Sequence, residues 1–441
     1  MNANPIIERL AGAEFVKFEG RVTAIGSGFV EGDGPLARLG DYCVIGGDEA
    51  SSSGLAEVIA VERKCVRLMP FSGTAAIELG ARIVLLPHAS ELPVGDAFAG
   101  RAIDALARPI DGCAALHPER RSPKGGQPLP ALDRGSRRER LVTGIRAVDG
   151  LLPMARGQRI GIFAAAGVGK TSLVEQIARQ SACDRKILCL VGERGREVER
   201  AWRLIEESGA KDCTTLVAAT AEASPSLRIR ALDQAVALAE YWRGKGDDVL
   251  LVVDSITRVA HSLRELGFAA GEPPAIRGLT PGVFAALPRY VERCGAARNG
   301  GTITAVLTVL SETDDNDDPV VELMKSVLDG HIVLSRSRAE RRLFPAIDIS
   351  RSVSRLADEL VDAGTGLSLR RLHAAFAAYE EARPMIEAGI YREGTSPEID
   401  RAIELRPAIE SFVKQGSEEF SELGETLARL DAIAGAGGEN G

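Results

Sequence analysis

The 441-residue chain is short of the residues that build several common kinds of site. It has only five histidines, and its seven cysteines (Cys43, Cys65, Cys113, Cys183, Cys189, Cys213 and Cys294) are scattered, with no Cys-x-x-Cys pair. A thiolate-rich metal centre has nothing to start from. Several of these cysteines fall in apolar runs and read as buried free thiols, which fits a reducing, cytoplasmic compartment. Positive charge is not in excess either. Fifty-four Lys and Arg stand against 62 Asp and Glu, a net charge of −8. That excludes a broad nucleic-acid-binding face, though not a local basic groove. No apolar run reaches the roughly 18 residues of a membrane span. Met1–Leu10 also lacks the basic-then-apolar pattern of a secretory leader.

What is present is the balance of a globular protein, 45% hydrophobic and 26% charged, at a length that calls for two or three domains. Residues 1–95 carry β-like runs at Phe15–Ile25, Ala37–Ile45, Leu55–Pro70 and Ala81–Pro87, separated by glycine-rich turns. That pattern predicts a small N-terminal β-barrel or sandwich. Ahead of it, Ile6, Ile7 and Leu10 mark one amphipathic turn. The second zone, 96–365, contains a linker at 113–140. Its 118–140 stretch has seven basic and three acidic residues and reads as a connector rather than a nucleic-acid site. From Arg159 onward, strand runs (Arg159–Phe163, Lys186–Val191, Thr214–Ala218, Val249–Val253, Thr302–Val309, His331–Leu334) alternate with helical patterns. One helix is Ser226–Arg243, with a single apolar face of Leu227, Ala231, Leu232, Ala235, Leu238, Ala239 and Trp242. This predicts an α/β domain whose mostly parallel sheet is buried on both faces. Residues 366–441 read as a helical domain to Ile433, then a tail at Ala434–Gly441.

The chemistry concentrates where strands end. Between the strand run ending at Phe163 and a helix opening at Lys170-Thr171-Ser172 lies Ala164-Ala165-Ala166-Gly167-Val168-Gly169. Glycines there let backbone N–H groups converge on a phosphate beside the positive end of a helix. Lys170 then reaches the β- and γ-phosphates, and the Thr171 hydroxyl ligates Mg²⁺. The run Val249–Val253 ends in Asp254, a second candidate ligand for the metal. The run ending at Val191 leads into Gly192-Glu193-Arg194-Gly195-Arg196-Glu197. Glu193 can orient and polarise an attacking water, but by spacing alone the cluster is equally a solvated charge run at a helix start.

Further matching stretches turn this into a resemblance. They include Arg108-Pro109-Ile110-Asp111-Gly112, Thr143-Gly144-Ile145-Arg146-Ala147-Val148-Asp149, Gly271-Glu272-Pro273-Pro274-Ala275, Leu328-Asp329-Gly330-His331 and Pro345-Ala346-Ile347-Asp348. From about Pro93 to Ile403 the chain resembles the rotary-type hexameric ATPases, and within them the flagellar type III secretion ATPases most, with the injectisome ATPases next. The resemblance implies a RecA-like P-loop core that binds MgATP and, of barrel or sandwich, the barrel for residues 1–95. It implies that Glu193 is the catalytic glutamate, supported by Arg194 and by Glu197 beside the metal. It places Arg258 along the same site, makes Arg355 an arginine finger offered to the neighbouring subunit, and puts Phe344 on the adenine. Tyr391 is a weaker candidate for the adenine wall. The acidic stretch Glu312–Pro319 would line the ring's central opening and meet a basic coiled-coil stalk.

The implied partners are a homohexamer, a stator-like regulator at the N-terminus, the stalk, an export gate and chaperone–substrate complexes, with no nucleic acid. The implied location is the cytoplasm, peripheral to the inner membrane. Two features depart from the family: the alanines at 164–166, and the basic run Ser335–Arg342. Against a rotary synthase catalytic subunit, no acidic lever appears between Leu367 and Ile433. Against an RNA translocase, the aromatics of residues 1–95 sit at alternating, core-like positions. A ring subunit without turnover fits poorly with Glu193, Asp254 and Arg355 together.

Overall fold

The computed structural model describes residues 18–46, 54–135, 139–311 and 318–436. The expected turn at Ile6–Leu10, the start of the run at Phe15, the stretch 312–317 and the end of the tail lie outside the described residues.

Six strands close the N-terminal barrel in the order Glu19–Ile25, Val30–Gly32, Val66–Pro70, Leu55–Val61, Tyr42–Ile45 and Arg82–Leu86. Alternating side chains from these strands, among them Val22, Val30, Cys43, Val58, Leu68 and Ile83, fill it. The long run Leu55–Pro70 is two strands, because Glu62 turns back to bond Cys65 (N···O 2.8 Å). Val30–Gly32, too short to show a period, is the strand the sequence did not announce. The barrel is fastened to the rest of the chain by polar contacts. Arg230 donates to the Tyr42 hydroxyl at 2.8 Å, and Lys124 of the linker ion-pairs with Glu57. Further along the linker, Arg134 pairs at 2.6 Å with Glu292 of the core helix Pro281–Arg293, so Lys124 and Arg134 tie this stretch to both barrel and core.

The main sheet runs Ile347–Ser354, Gly330–Leu334, Arg159–Ala164, Thr302–Leu310, Asp248–Asp254, Arg185–Glu193, Thr214–Thr220, Ala102–Asp104. Every neighbouring pair on this path is parallel except Ile347–Ser354 with Gly330–Leu334. One core covers one face, with Trp242, Val259 and Leu287 from the helices Pro225–Lys245, Ile256–Ala270 and Pro281–Arg293. A second core covers the other, with Val148, Leu173 and Ile177 and with Leu372, Phe412 and Leu430 of the C-terminal helices. The expectation of one apolar face on Ser226–Arg243 is corrected. That helix spans Pro225–Lys245 and is buried nearly all round, with Arg230, Asp233 and Gln234 inside. It lies between the sheet, two helices and the barrel, so its polar residues face hydrogen-bond partners rather than water. Three helices, Ala363–Glu387, Pro397–Val413 and Leu423–Ala436, end the chain. Among the described residues, no helix is long and apolar enough to cross a membrane.

Candidate active site

The register of the parallel strands decides what meets at the sheet edge. Ala164 pairs with Leu310, Val253 with Leu307 and Leu190 with Asp254. The C-terminal ends carrying the loop, Asp254 and Glu193 therefore open on one crevice, the usual ligand position in such sheets.

The loop from Ala165 to Gly169 turns the chain from the strand Arg159–Ala164 into the helix Lys170–Gln180. Gly167 (φ 78°) and Gly169 (φ 93°) hold left-handed backbone that a side chain would strain. Ala164, Ala165 and Ala166 are not among the residues with positive φ, so the alanine-rich start needs no flexibility that alanine lacks. Val168 is buried and anchors the loop to the core. No side chain caps this helix, which leaves its first N–H groups for an anion. Thr171 and Ser172 stand exposed at the helix start. A Cβ on Gly169 would lie 3.0 Å from Phe344 Cε1. The phenyl ring thus borders the loop while remaining 41% exposed, free to stack.

Lys170 hydrogen-bonds Asp254, and its Nζ lies 3.8 Å from Glu193 Oε1. Asp254 is buried and also accepts from the Thr308 hydroxyl at 2.7 Å. Glu193 is half-buried, and its carboxyl is pushed up to about 7. Burial is the main cause, with the hydrogen bond to Glu197 and the charge of Asp254 adding and Lys170 opposing. Glu197 sits in the first turn of the helix Gly195–Glu207. Arg258 lays its aliphatic stem over Gly192, whose missing Cβ would lie 3.1 Å away and whose φ is 73°. Arg194 is exposed at the start of that same helix.

Two predicted residues fall elsewhere. Ile160 and Ser354 both pair with Gly330, so Arg355 leaves the sheet at the edge opposite the loop, roughly 15 Å of strand from its own Lys170. It is exposed, and its guanidinium donates to the Lys325 carbonyl at 3.3 Å. Tyr391 bonds Asp400 in the first turn of the helix Pro397–Val413 at 2.7 Å and the Ser396 carbonyl just before it at 3.1 Å. Of the acidic stretch, Asp318 is described and caps the helix Pro319–Val327. The basic run Ser335–Arg342 contains a buried Arg338, and Arg341 lies 3.8 Å from Glu410 of the helical region. An open groove of about 1500 Å³ between barrel and core, lined by Leu36, Leu39 and Leu266, contains none of the loop residues and is separate from this chemistry.

Sequence reasoning missed Thr308, a buried threonine with no motif around it. It also missed Gln415. Its N–H donates to the Phe344 carbonyl at 2.9 Å. Its side chain accepts from Arg146 N at 2.8 Å and donates to the Gly144 carbonyl at 2.7 Å. The segment thereby fixes the ring's backbone to the core, a contact too distant in sequence to be read from spacing.

A glycine-framed loop on an uncapped helix, with a lysine between two carboxylates, defines a P-loop nucleotide site. Residues 144–354 match the ATP synthase alpha/beta family nucleotide-binding domain, 24–86 its beta-barrel domain, and 361–432 the T3SS EscN ATPase C-terminal domain. The flagellum-specific ATP synthase of Treponema pallidum is 39% identical over 96% of this chain and 94% of its own length. The type 3 secretion system ATPase of Pseudomonas syringae pv. syringae is also 39% identical, over 94% and 93%. The assembled ATPase EscN of enteropathogenic E. coli superposes with a TM-score of 0.89 at 36% identity, covering 94% of this chain and all of that one. EscN in complex with its central stalk EscO gives 0.85 at 35% identity, with the same coverage. The chain belongs to the ATP synthase alpha/beta family of ATPases, in its type III secretion branch.

Proposed function

We propose that this chain hydrolyses MgATP at the subunit interfaces of a homohexameric ring and so energises the export of flagellar proteins through a type III secretion apparatus. The observation that carries the chemistry is the grouping of Lys170, Asp254 and Glu193 at one sheet edge, 3.8 Å separating Lys170 Nζ from Glu193 Oε1. The residues fit the expected ligands. The uncapped helix start and Lys170 suit triphosphate, and exposed Thr171 with buried Asp254 suits a hard cation. Mg²⁺ held there supplies charge neutralisation at the phosphate oxygens. Lys170 orients the terminal phosphates, and Glu193 as carboxylate orients the attacking water and accepts its proton. Phe344 stacks on the adenine, and Arg258, Arg194 and Glu197 complete the wall.

Arg355 supports the ring reading, since it lies too far from its own phosphate loop to serve it. On the outer edge it is available to a neighbour, where it would stabilise charge on the transferring phosphoryl group. EscN's complex with its stalk supports a coiled-coil partner for the segment ending at Pro319. A regulator at the N-terminus, an export gate and chaperone–substrate complexes complete the reading, with the ring cytoplasmic and peripheral at the inner membrane. The fit to EscN favours one second reading, an injectisome ATPase. Complementation of a flagellar-ATPase deletion for motility separates the two.

The chemistry is tested by Glu193→Gln. Nucleotide binding should survive while steady-state turnover falls at least ~100-fold, the scale of general-base loss. Near-normal turnover would overturn the assignment of Glu193.

A further inference from the structure

We propose that the ion pair between Glu175 and Arg200 is a positioning device that ties the phosphate-loop helix to the helix carrying Glu197, and so sets where Glu193 stands over the γ-phosphate. The proposal rests on ATP hydrolysis at this same site. Arg200 Nη2 lies 3.2 Å from Glu175 Oε2. Each partner sits one helical turn behind a site residue. Glu175 follows Thr171 by four positions on Lys170–Gln180, and Arg200 follows Glu197 by three on Gly195–Glu207. Such spacings put side chains on a common face. The pair therefore bridges the two helices directly behind the place where Thr171 and Glu197 face the crevice.

Two observations say this contact does more than decorate a surface. Glu175 is only 9% exposed, an unusual place for a carboxylate that touches neither loop nor metal site. Its buried acid is held on the Arg200 guanidinium, which reaches in from a largely exposed stem. Second, the helix Gly195–Glu207 has no side-chain cap and only Val198, Ala201 and Ile205 buried. Few contacts fix its start, and Glu193 lies two residues before it. Glu193 itself ends the strand Arg185–Glu193, where its carbonyl accepts from the Ala221 N–H at 3.0 Å. Sliding the helix Gly195–Glu207 therefore moves Glu197, and through their contact the Glu193 carboxyl, relative to Lys170. A displacement near 1 Å in a reacting group costs on the order of 100-fold in rate, and a partial one less.

The test is steady-state hydrolysis by full-length Arg200→Met, Glu175→Gln and the double variant E175Q/R200M, which leaves no unpaired buried charge. Arg200→Lys and Glu193→Gln are run in parallel. All three tie-breaking variants should lose roughly 10-fold in kcat with KM for ATP within about twofold. The acid limb of their pH–rate profile should move, because the Glu193–Glu197 contact changes. Arg200→Lys should recover most of kcat. If the double variant folds and keeps wild-type kcat and pH profile, the pair is merely structural and the proposal fails. That outcome beside an inactive Glu193→Gln overturns only this inference. A Glu193→Gln enzyme that still turns over overturns the underlying reading as well.

Discussion

Glu193 and Glu197 share a hydrogen bond at the mouth of the crevice, and that contact helps hold the Glu193 carboxyl near 7. Glu193 can take a proton from water only when ionised. As pH falls through about 7 it protonates, so kcat should fall on the acid side with a limb near that value. Glu197→Ala removes the contact and a neighbouring negative charge, and should move the limb to lower pH. A kcat–pH series on both proteins checks this, and an unmoved limb would separate the two acids. Stability has the matching sign. A carboxyl raised in the folded state contributes stability below its unfolded value of 4.5, lost as pH rises through about 7. Glu193→Gln should therefore melt at a higher temperature than wild type above pH 7, and the two should converge in acid.

Arg355 stands at the sheet edge opposite its own Lys170, and on the proposed reading a complete site would draw on two chains. Arg355→Ala and Lys170→Ala should each abolish hydrolysis, while Arg355→Ala monomers still bind nucleotide. Mixed together they should regain activity. An intact phosphate site on an Arg355→Ala subunit then meets an intact finger on a Lys170→Ala neighbour. Mixtures that stay inactive despite forming mixed rings would place Arg355 outside the reaction.

Phe344 packs against Gly169 on one side and is exposed on the other. Stacking of a base on an aromatic ring contributes about 1–3 kcal/mol. Phe344→Ala should weaken binding of a fluorescent adenine nucleotide roughly 5- to 150-fold, and Phe344→Tyr should leave it nearly unchanged because the stacking face remains. Equal binding by the alanine variant would remove the ring from the adenine site.

The core strands were legible because burial on both faces writes them as continuous β-branched runs, and the loop was legible because glycine marks its left-handed turns. The edges were not. Ala102–Asp104 is three residues long, and Ile347–Ser354 is half-exposed, so neither carries a clear period. Glu193 and Asp254 could be picked out by their place after a strand, but their company could not. Thr308 arrives from a neighbouring strand, Gln415 from the far end of the chain, and Arg200 from the next helix. Such contacts depend on register and docking, which local pattern does not encode.

Thr308 is the residue that makes this difference testable. Its hydroxyl donates to Asp254 Oδ1 at 2.7 Å inside the sheet. A hydrogen bond to a charged group contributes about 1.5–3 kcal/mol, and this one fixes how the Asp254 carboxyl is oriented. Valine keeps the shape of threonine and removes the donor, which should make Asp254 a poorer ligand while leaving Lys170 and Glu193 in place. Thr308→Val should raise the Mg²⁺ concentration for half-maximal hydrolysis by about 10-fold or more, the scale of losing the ~1.5–3 kcal/mol bond. At saturating Mg²⁺, kcat should return close to wild type, and Thr308→Ser should behave as wild type throughout. An unchanged Mg²⁺ requirement in the valine variant would show that Asp254 does not hold the metal, and its carboxylate would then serve chiefly to orient Lys170.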